Sequence, residues 1–347
     1  MTSGQEGRAR APVMKHWSGS APAKTNLFLH VLEREASGYH SIESLFQALE
    51  LSDSLTLELK AVRATDRGPE GSDRIVVRGI PVRLRVEGVP QGELGDPRDN
   101  LVVRAVDAFL ARLLADPDEA AKGRVLEITL GKSIPHGAGL GGGSSDAATA
   151  LRGLNTLYGA PLLPEELLQA GATLGSDVPF FLSGSPLVLG WGRGQRLLAL
   201  PPLPSRPAII AIPGFRISTP DAYGDLAASR SGSSAPGSIP RRIDPDQLSR
   251  WDAVEALAAN DFHGPIEARH PQLGRLRAGL RRAGASIALL SGSGSAVIGI
   301  FPNDETRDRA LEEAYDAEPL RLIPTRTLGG VAPVSGVWST RPDGDDG

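Results

Sequence analysis

A chain of 347 residues, 40% hydrophobic and 22% charged, holds enough apolar material for about two packed domains and too much for a disordered segment. The absence of cysteine excludes a disulfide scaffold, a thiolate zinc site and a cysteine nucleophile together. A formal charge of -4 does not supply the basic face of a nucleic-acid binder, no apolar run is long enough to cross a bilayer, and the N-terminal residues lack the apolar stretch of a secretory signal. The expectation is a cytoplasmic chain with no nucleic-acid or membrane partner.

Residues 1–20, rich in Gly, Ser, Arg and Ala without a period, read as a flexible tail. APAKTNLFLHVL then predicts a strand, EREASGYH a polar turn, and SIESLFQALELSDSLTLELK further strand. After a loop at 61–72, IVVRGI and VRLRVEGV predict a strand pair. In DNLVVRAVDAFLARLL the apolar residues fall at helical spacing, with Asp99 and Asn100 as caps. VLEITLGKSI predicts a strand and DAATALRGLNTLYG a helix that Gly159 ends, with PHGAGLGGGSS between them. A short helix, PEELLQAGATLG, leads to a loop and a hairpin across SDVPFFLSGSPLVLGWGRGQRLLAL. Several prolines in PPLPSRP make residues 201–207 a stiff linker, dividing a first domain (21–203) from a second (204–337). In the second, AIIAIP predicts a buried strand, 229–241 a low-complexity loop, 247–259 and 271–283 two helices, SIALLSGSGSAVIGIF a strand, glycine turn and strand, and DETRDRALEEAYDA an amphipathic helix. Residues 338–347 read as a second tail. The fold class is α+β in two domains.

The glycine-rich loop carries the strongest chemical signal. Glycines at 137, 139, 141, 142 and 143 let successive N–H groups curl into one concavity, and the following helix adds its positive N-terminal end. This is a phosphate cradle, to which Ser144 and Ser145 can add hydroxyl ligands for phosphate or a metal ion. No Gly-Lys-Ser/Thr closes it, so it is not a Walker A loop. Gly137, Gly139 and Gly142 match a dinucleotide-binding fingerprint, but the acidic residue that should close a second strand is missing; Glu165 and Glu166 open a helix instead.

Other candidates are weaker alone. Lysine occurs at only five positions, 15, 24, 60, 122 and 132, against 32 arginines. Lys24, at the start of an apolar strand, therefore stands out, although an edge-strand lysine with its head in water fits equally. Asp177 precedes Pro179, Phe180 and Phe181, which read either as a dry wall around a functional carboxylate or as an ordinary turn. LSGSGSAVIGIF is a second place where amides can meet an anion, or a plain hairpin. GYH at 38–40 pairs an aromatic with a histidine, on a functional or a surface loop. The six histidines show no metal-binding spacing.

Taken together, PAKTNLFLHVLEREASGYHSIESLFQALELSD, DNLVVRA, PHGAGLGGGSSDAATALRGLN, GSDVPFF, IPGFRISTPDAY and LSGSGSAVIGIF resemble the GHMP family of small-molecule kinases. Departures are Ala138, where the family often has glycine, and Ser37, where it often has aspartate. The resemblance implies a ribosomal-protein-S5-like first domain, a ferredoxin-like second domain and an active site between them. In the branch most resembled, the implied activity is ATP-dependent phosphorylation of the 2-hydroxyl of a cytidyl diphosphate sugar alcohol, 4-diphosphocytidyl-2-C-methyl-D-erythritol, in non-mevalonate isoprenoid precursor synthesis. ATP is implied on Pro135, His136, Gly137, Ala138, Gly139, Leu140, Gly141, Gly142, Gly143, Ser144 and Ser145, with Mg²⁺ near Ser145. By the same resemblance Asp177 is the catalytic base and Lys24 its cationic partner. Asn26 and Thr219 contact substrate, Tyr39 and Tyr223 sandwich the cytosine, and the His40 backbone reads its edge. The expected assembly is a monomer or weak homodimer. Two alternatives stay open: a GHMP kinase for a smaller alcohol, and a non-catalytic nucleotide- or RNA-binding module on an S5-like fold.

Overall fold

The computed structural model describes residues 13–34, 40–61, 75–113, 123–192, 194–231, 244–313, 315 and 320–330. Its first half is built on two long strands, β1 (Val13–Arg34) and β2 (His40–Ala61), paired antiparallel. Alternate residues of β2 face opposite ways, so that Leu55, Leu57 and Leu59 are buried while Thr56 and Glu58 are half-buried. On its other side β2 changes partner along its length. Residues 54–61 pair with β5 (Arg124–Gly131) and residues 42–47 with β6 (Leu187–Gly192). Beyond β5 lie β4 (Ile80–Glu87) and β3 (Ile75–Val77), and β7 (Arg196–Ala199) closes a hairpin with β6. One face of this sheet is covered by α1 (Leu101–Leu113) and α2 (Gly142–Leu157), whose Val102, Val106, Phe109, Leu151 and Leu154 join Trp17, Leu55, Leu57 and Ile128 in a continuous core.

After α3 (Pro164–Ala172) and α4 (Val178–Leu182), the second half forms a four-stranded sheet. Its strands are β8 (Pro207–Pro213), β10 (Ile287–Leu290), β11 (Val297–Ile300) and β12 (Leu320–Arg326), in the order β10-β11-β8-β12. Here AIIAI, IALL and VIGI are apolar throughout because both faces are buried. One face packs Ile209, Ala211, Leu290 and Val297 against Leu273, Leu276 and Leu280 of α8 (Pro271–Arg282). The other packs Ile210, Leu289 and Ile298 against Phe28, Leu45 and Leu140 of the first half. The remaining helices are α5 (Thr219–Ser231), α6 (Trp251–Leu257), α7 (His263–Arg269) and α9 (Asp304–Leu311). The architecture is α+β. Among the described residues no helix is long and apolar enough to cross a membrane.

Two expectations are corrected. Residues 13–20 of the tail expected over 1–20 are strand, because β1 begins at Val13, and residues 1–12 lie outside the described residues. Lys15 to Ser20 pair with Leu59 to Ser54, and the Trp17 ring is buried under α2. The helix expected over 247–259 divides into a short 3₁₀ turn (Pro245–Ser249), α6, and a two-residue strand, β9 (Ala259–Asn260). Tertiary pairing overrides helical periodicity here: β9 adds parallel to Phe28 and Leu29, and the Asn260 amide donates to Leu290 O and Gly292 O. Most of the low-complexity loop (232–241) and the tail at 338–347 lie outside the described residues.

Candidate active site

On β1, Lys24 and Asn26 are two residues apart and share a face. They lie between register shifts at Pro22/Lys24 and Asn26/Phe28, and such irregularities bend a strand and re-aim its side chains. Lys24 Nζ, its side chain 5% exposed, sits 2.9 Å from Asn26 Oδ1 and 3.4 Å from Asp177 Oδ2, and 5.6 Å from the Phe46 ring centroid. Asp177 is the residue before α4 and makes no capping bond to that helix, so its carboxylate turns to the ammonium. At the other end of α4, Arg152 from α2 donates to Phe181 O at 2.6 Å. Burial lowers the pKa of this guanidinium, and its charge complements the negative C-terminal end of α4.

Of the two readings of the Asp177 surroundings, the dry wall does not form. Phe180 and Phe181 belong to the core of the first half, whereas Asp177 is 29% exposed and faces a cavity of about 1230 Å³. Lys24, Asn26, His40, Asp177, Thr219, Tyr223 and Gly292 all line that cavity. Tyr223 is stacked on His40, centroids 5.1 Å apart and planes at 25°, and meets Phe262 edge-on at 5.0 Å. Burial, then the Asp177 charge, raises the Tyr223 phenol above its ordinary pKa. Thr219 Oγ1 lies 3.2 Å from Ser293 Oγ, joining the start of α5 to the β10–β11 turn.

The glycine-rich loop forms the cavity's border. Gly139 and Gly141 have φ of +79° and +71° and line it. A Cβ on Gly139 would run into Ser291 O, and one on Gly141 would stand 2.9 Å from Lys24 Cγ. The loop is held by Lys24 N donating to Leu140 O (2.9 Å) and Ser291 Oγ donating to Gly139 O (3.0 Å). Across it lies a second cavity of about 620 Å³, lined by Lys132, Ser133, Ile134, Pro135, His136, Ala138, Arg216 and Arg321. His136 titrates below the ordinary histidine range because of burial, then the Arg216 charge, then the Lys132 charge. In the first turn of α2 the Ser145 Oγ is buried without a hydrogen-bond partner, an oxygen free for a cation or a donor.

Under the loop lies a cluster of three buried charges. Lys132 Nζ donates to Asp53 Oδ2 and, at 2.7 Å, to Asp146 Oδ2. Asp53 Oδ1 accepts from the backbone amides of Ser133 (2.6 Å) and Ile134 (2.8 Å). Burial works against the Lys132 ammonium, but Asp146 and then Asp53 outweigh it and hold its pKa above the ordinary value. Burial pushes the Asp146 carboxyl up to about 7; Lys132 opposes this and the Asp53 charge adds to it. Asp53 Oδ1 has two amide donors, whereas Asp146 Oδ1 has no hydrogen-bond partner.

The GHMP kinase N-terminal domain matches residues 100–185 and the GHMP kinase C-terminal domain residues 247–318. A 4-diphosphocytidyl-2-C-methyl-D-erythritol kinase of Solibacter usitatus is 38% identical over 86% of this chain and 85% of its own length. The chain belongs to the GHMP kinase family. A second relative of the same name, from Geobacter sp. strain M21, is 37% identical over 91% of this chain and 100% of its own. The crystal structure of a 4-(cytidine 5'-diphospho)-2C-methyl-D-erythritol kinase superposes with a TM-score of 0.64 at 33% identity, covering 90% of this chain and 100% of that one.

In this GHMP kinase the structure brings Lys24, Asn26, His40, Asp177, Thr219 and Tyr223 to one cavity, together with Gly139 and Gly141 of the loop. Pro135, His136 and Ala138 face the second cavity. Leu140 packs in the core between the halves, and Gly137, Gly142, Gly143, Ser144 and Ser145 line neither cavity. Tyr39 lies outside the described residues. Sequence reasoning missed Asp53, Lys132 and Asp146, although Lys132 was visible as the last lysine of an arginine-rich chain.

Proposed function

We propose that this small-molecule kinase transfers the γ-phosphoryl group of ATP to the 2-hydroxyl of 4-diphosphocytidyl-2-C-methyl-D-erythritol. The observation that carries the reading is the Lys24–Asp177 pair at 3.4 Å, facing a cavity bordered by the glycine-rich loop. Phosphoryl transfer needs positioning and charge stabilisation above all. Asp177 accepts the proton of the attacking hydroxyl as its oxygen bonds to the γ-phosphorus, and the bond from that phosphorus to the β,γ-bridging oxygen breaks to release ADP. Lys24 stabilises the charge gathering on the hydroxyl oxygen and the transferring group. The loop amides hold the phosphates, and the second cavity, lined by residues 132–136, takes the nucleoside end of ATP.

Mg²⁺ suits this site in one respect: the buried Ser145 Oγ lacks a protein partner. Among the described residues no group of three or more His, Asp or Glu side chains could hold a metal ion. Asp146 is turned to Lys132 instead. Ser145 would be the residue to hold the ion, and phosphate oxygens and water would supply its other partners, the usual mode for this ion. When bound, Mg²⁺ neutralises charge on the phosphate oxygens.

Tyr223 supports the cytidyl substrate over a smaller alcohol, since an aromatic face in so large a cavity suits a nucleobase. The test is ³¹P NMR of ATP incubated with the enzyme and a panel of alcohols with and without the cytidyl group. Turnover confined to the cytidyl diphosphate alcohol is expected. Equal turnover of a small alcohol would move the chain to another branch of the family, and no turnover of any would make it a binding module.

A further inference from the structure

We infer that Ser44 is a positioning residue for phosphoryl transfer, acting on Lys24 through the side-chain amide of Asn26. The inference rests on the reading that Lys24 and Asp177 carry the transfer. Ser44 is fully buried on β2 and Asn26 is 2% exposed on β1. Ser44 Oγ lies 2.9 Å from Phe28 O. A carbonyl oxygen only accepts, so the single hydroxyl proton of Ser44 is committed to it. Ser44 Oγ therefore meets Asn26 as an acceptor, and the group 2.7 Å away is the Asn26 Nδ2 donor.

This fixes the other end of the amide. Asn26 Oδ1 faces two groups that only donate, Lys24 Nζ at 2.9 Å and Gly292 N at 3.1 Å. A flipped amide would set an NH₂ group against an ammonium and a backbone N–H, while turning an oxygen toward a hydroxyl whose proton is already used. Ser44 thus sets the polarity of Asn26. Asn26 in turn holds the ammonium in a position from which it also reaches Asp177, and ties it to the β10–β11 turn of the second half. With Oδ1 occupied twice, the second N–H of the Asn26 amide is what remains for a ligand. Asn26 presents a donor to the cavity, suited to a substrate oxygen.

Ser44→Ala is expected to lower kcat ten- to hundredfold, the worth of an oriented hydrogen bond to a charged group, with the KM for ATP and the far-ultraviolet circular dichroism unchanged. A loss of packing would do something similar, so the deciding measurement is the same change in an Asn26→Asp background. A carboxylate offers an acceptor whichever way it turns, so Ser44→Ala should there cost less than threefold. The added charge is present in both members of that pair and cancels from the ratio. Equal proportional losses in the two backgrounds would overturn the proposal. A second reading uses selective ¹⁵N-asparagine labelling. The Asn26 side-chain NH₂ should be protected from hydrogen exchange in the native enzyme and lose that protection in Ser44→Ala; unchanged protection would overturn the proposal even if Asn26→Asp is too slow to assay. Lys24→Ala separates the two levels. If it abolishes turnover while Ser44→Ala does not slow it, the Ser44 role fails alone. If it leaves turnover intact, the underlying reading fails.

Discussion

Two buried lysines, both inside the first half, show what separates a structural cation from a working one. Lys132 lies between two carboxylates, with bonds to Asp53 Oδ2 and Asp146 Oδ2, and all three side chains are under 5% exposed. Lys24 has one carboxylate, Asp177, at 3.4 Å, and that carboxylate is 29% exposed to the large cavity. In the first arrangement the ammonium is shared between two carboxylates of the interior. It locks the exit of β5 to the start of α2 and so pre-forms the loop between them. The second keeps an ammonium and a carboxylate side by side but not locked, with room for a hydroxyl and a phosphoryl group. A buried lysine with short bonds on every side is a joint of the fold. One with a long bond and an open neighbour is positioned for chemistry.

The largest effect tests the open pair. Asp177→Asn keeps the shape and removes the base, so kcat should fall by about 10²–10⁴ with ATP affinity retained. Lys24→Ala should fall comparably, Lys24→Arg should also be poor because a planar fork does not fit a point-charge site, and the double variant should lose far less than the product of the two single losses. Near-normal kcat in Asp177→Asn would break the comparison from the catalytic side.

Lys132→Met tests the closed cluster. It strands two carboxylates in the interior, and breaking a buried ionic cluster removes about 3–5 kcal/mol of stability, to be read as a shift in the denaturant midpoint. A midpoint equal to that of the native enzyme would abolish the structural role assigned here. Tyr223→Ala should raise the KM for the cytidyl substrate about ten- to hundredfold, from the loss of about 1–3 kcal/mol of stacking, and leave the KM for ATP in place. A parallel rise in both would mean that Tyr223 supports the cavity wall through its stacking on His40 rather than binding a base.

The smallest effect sharpens the comparison by pH. The folded pKa of Asp146, about 7, lies above its ordinary value of 3.8. The native state therefore keeps a proton that the unfolded chain releases. The stabilisation from that proton is complete below 3.8 and is lost as pH rises through about 7. Stability measured by urea unfolding should fall over this interval in the native enzyme and fall less in Asp146→Asn. An identical slope in both would place the titration elsewhere.

The sequence makes one half of this comparison legible and hides the other. The glycine loop is readable because its strand and helix flanks announce themselves by period, and glycines there meet a steric demand, as at Gly139 against Ser291 O. The pairing of Lys24 with Asp177 is not readable from local pattern. More than 150 positions separate them, each alone reads as an edge lysine or a turn acid, and only the family resemblance joins them. The cluster of Asp53, Lys132 and Asp146 goes unread because its members sit on a strand, a strand exit and a helix, and only folding gathers them. The early start of β1 escapes notice because KHWSGS has no apolar alternation. Its partner strand supplies the pairing and Trp17 supplies the burial.

β9 bears on how the molecule can move. Residues 259–260 come from the second half yet lie hydrogen-bonded along the edge of β1, beside Phe28 and Leu29. Strand pairing resists shear far more than a lubricated interface between globules does. The gap between the halves is accordingly bridged by backbone as well as by side chains, and rotation of one half against the other would have to break the pairing beside Phe28 and Leu29, two residues beyond Asn26. A fragment ending near residue 203 would leave that edge of β1 bare, open to the next chain in solution.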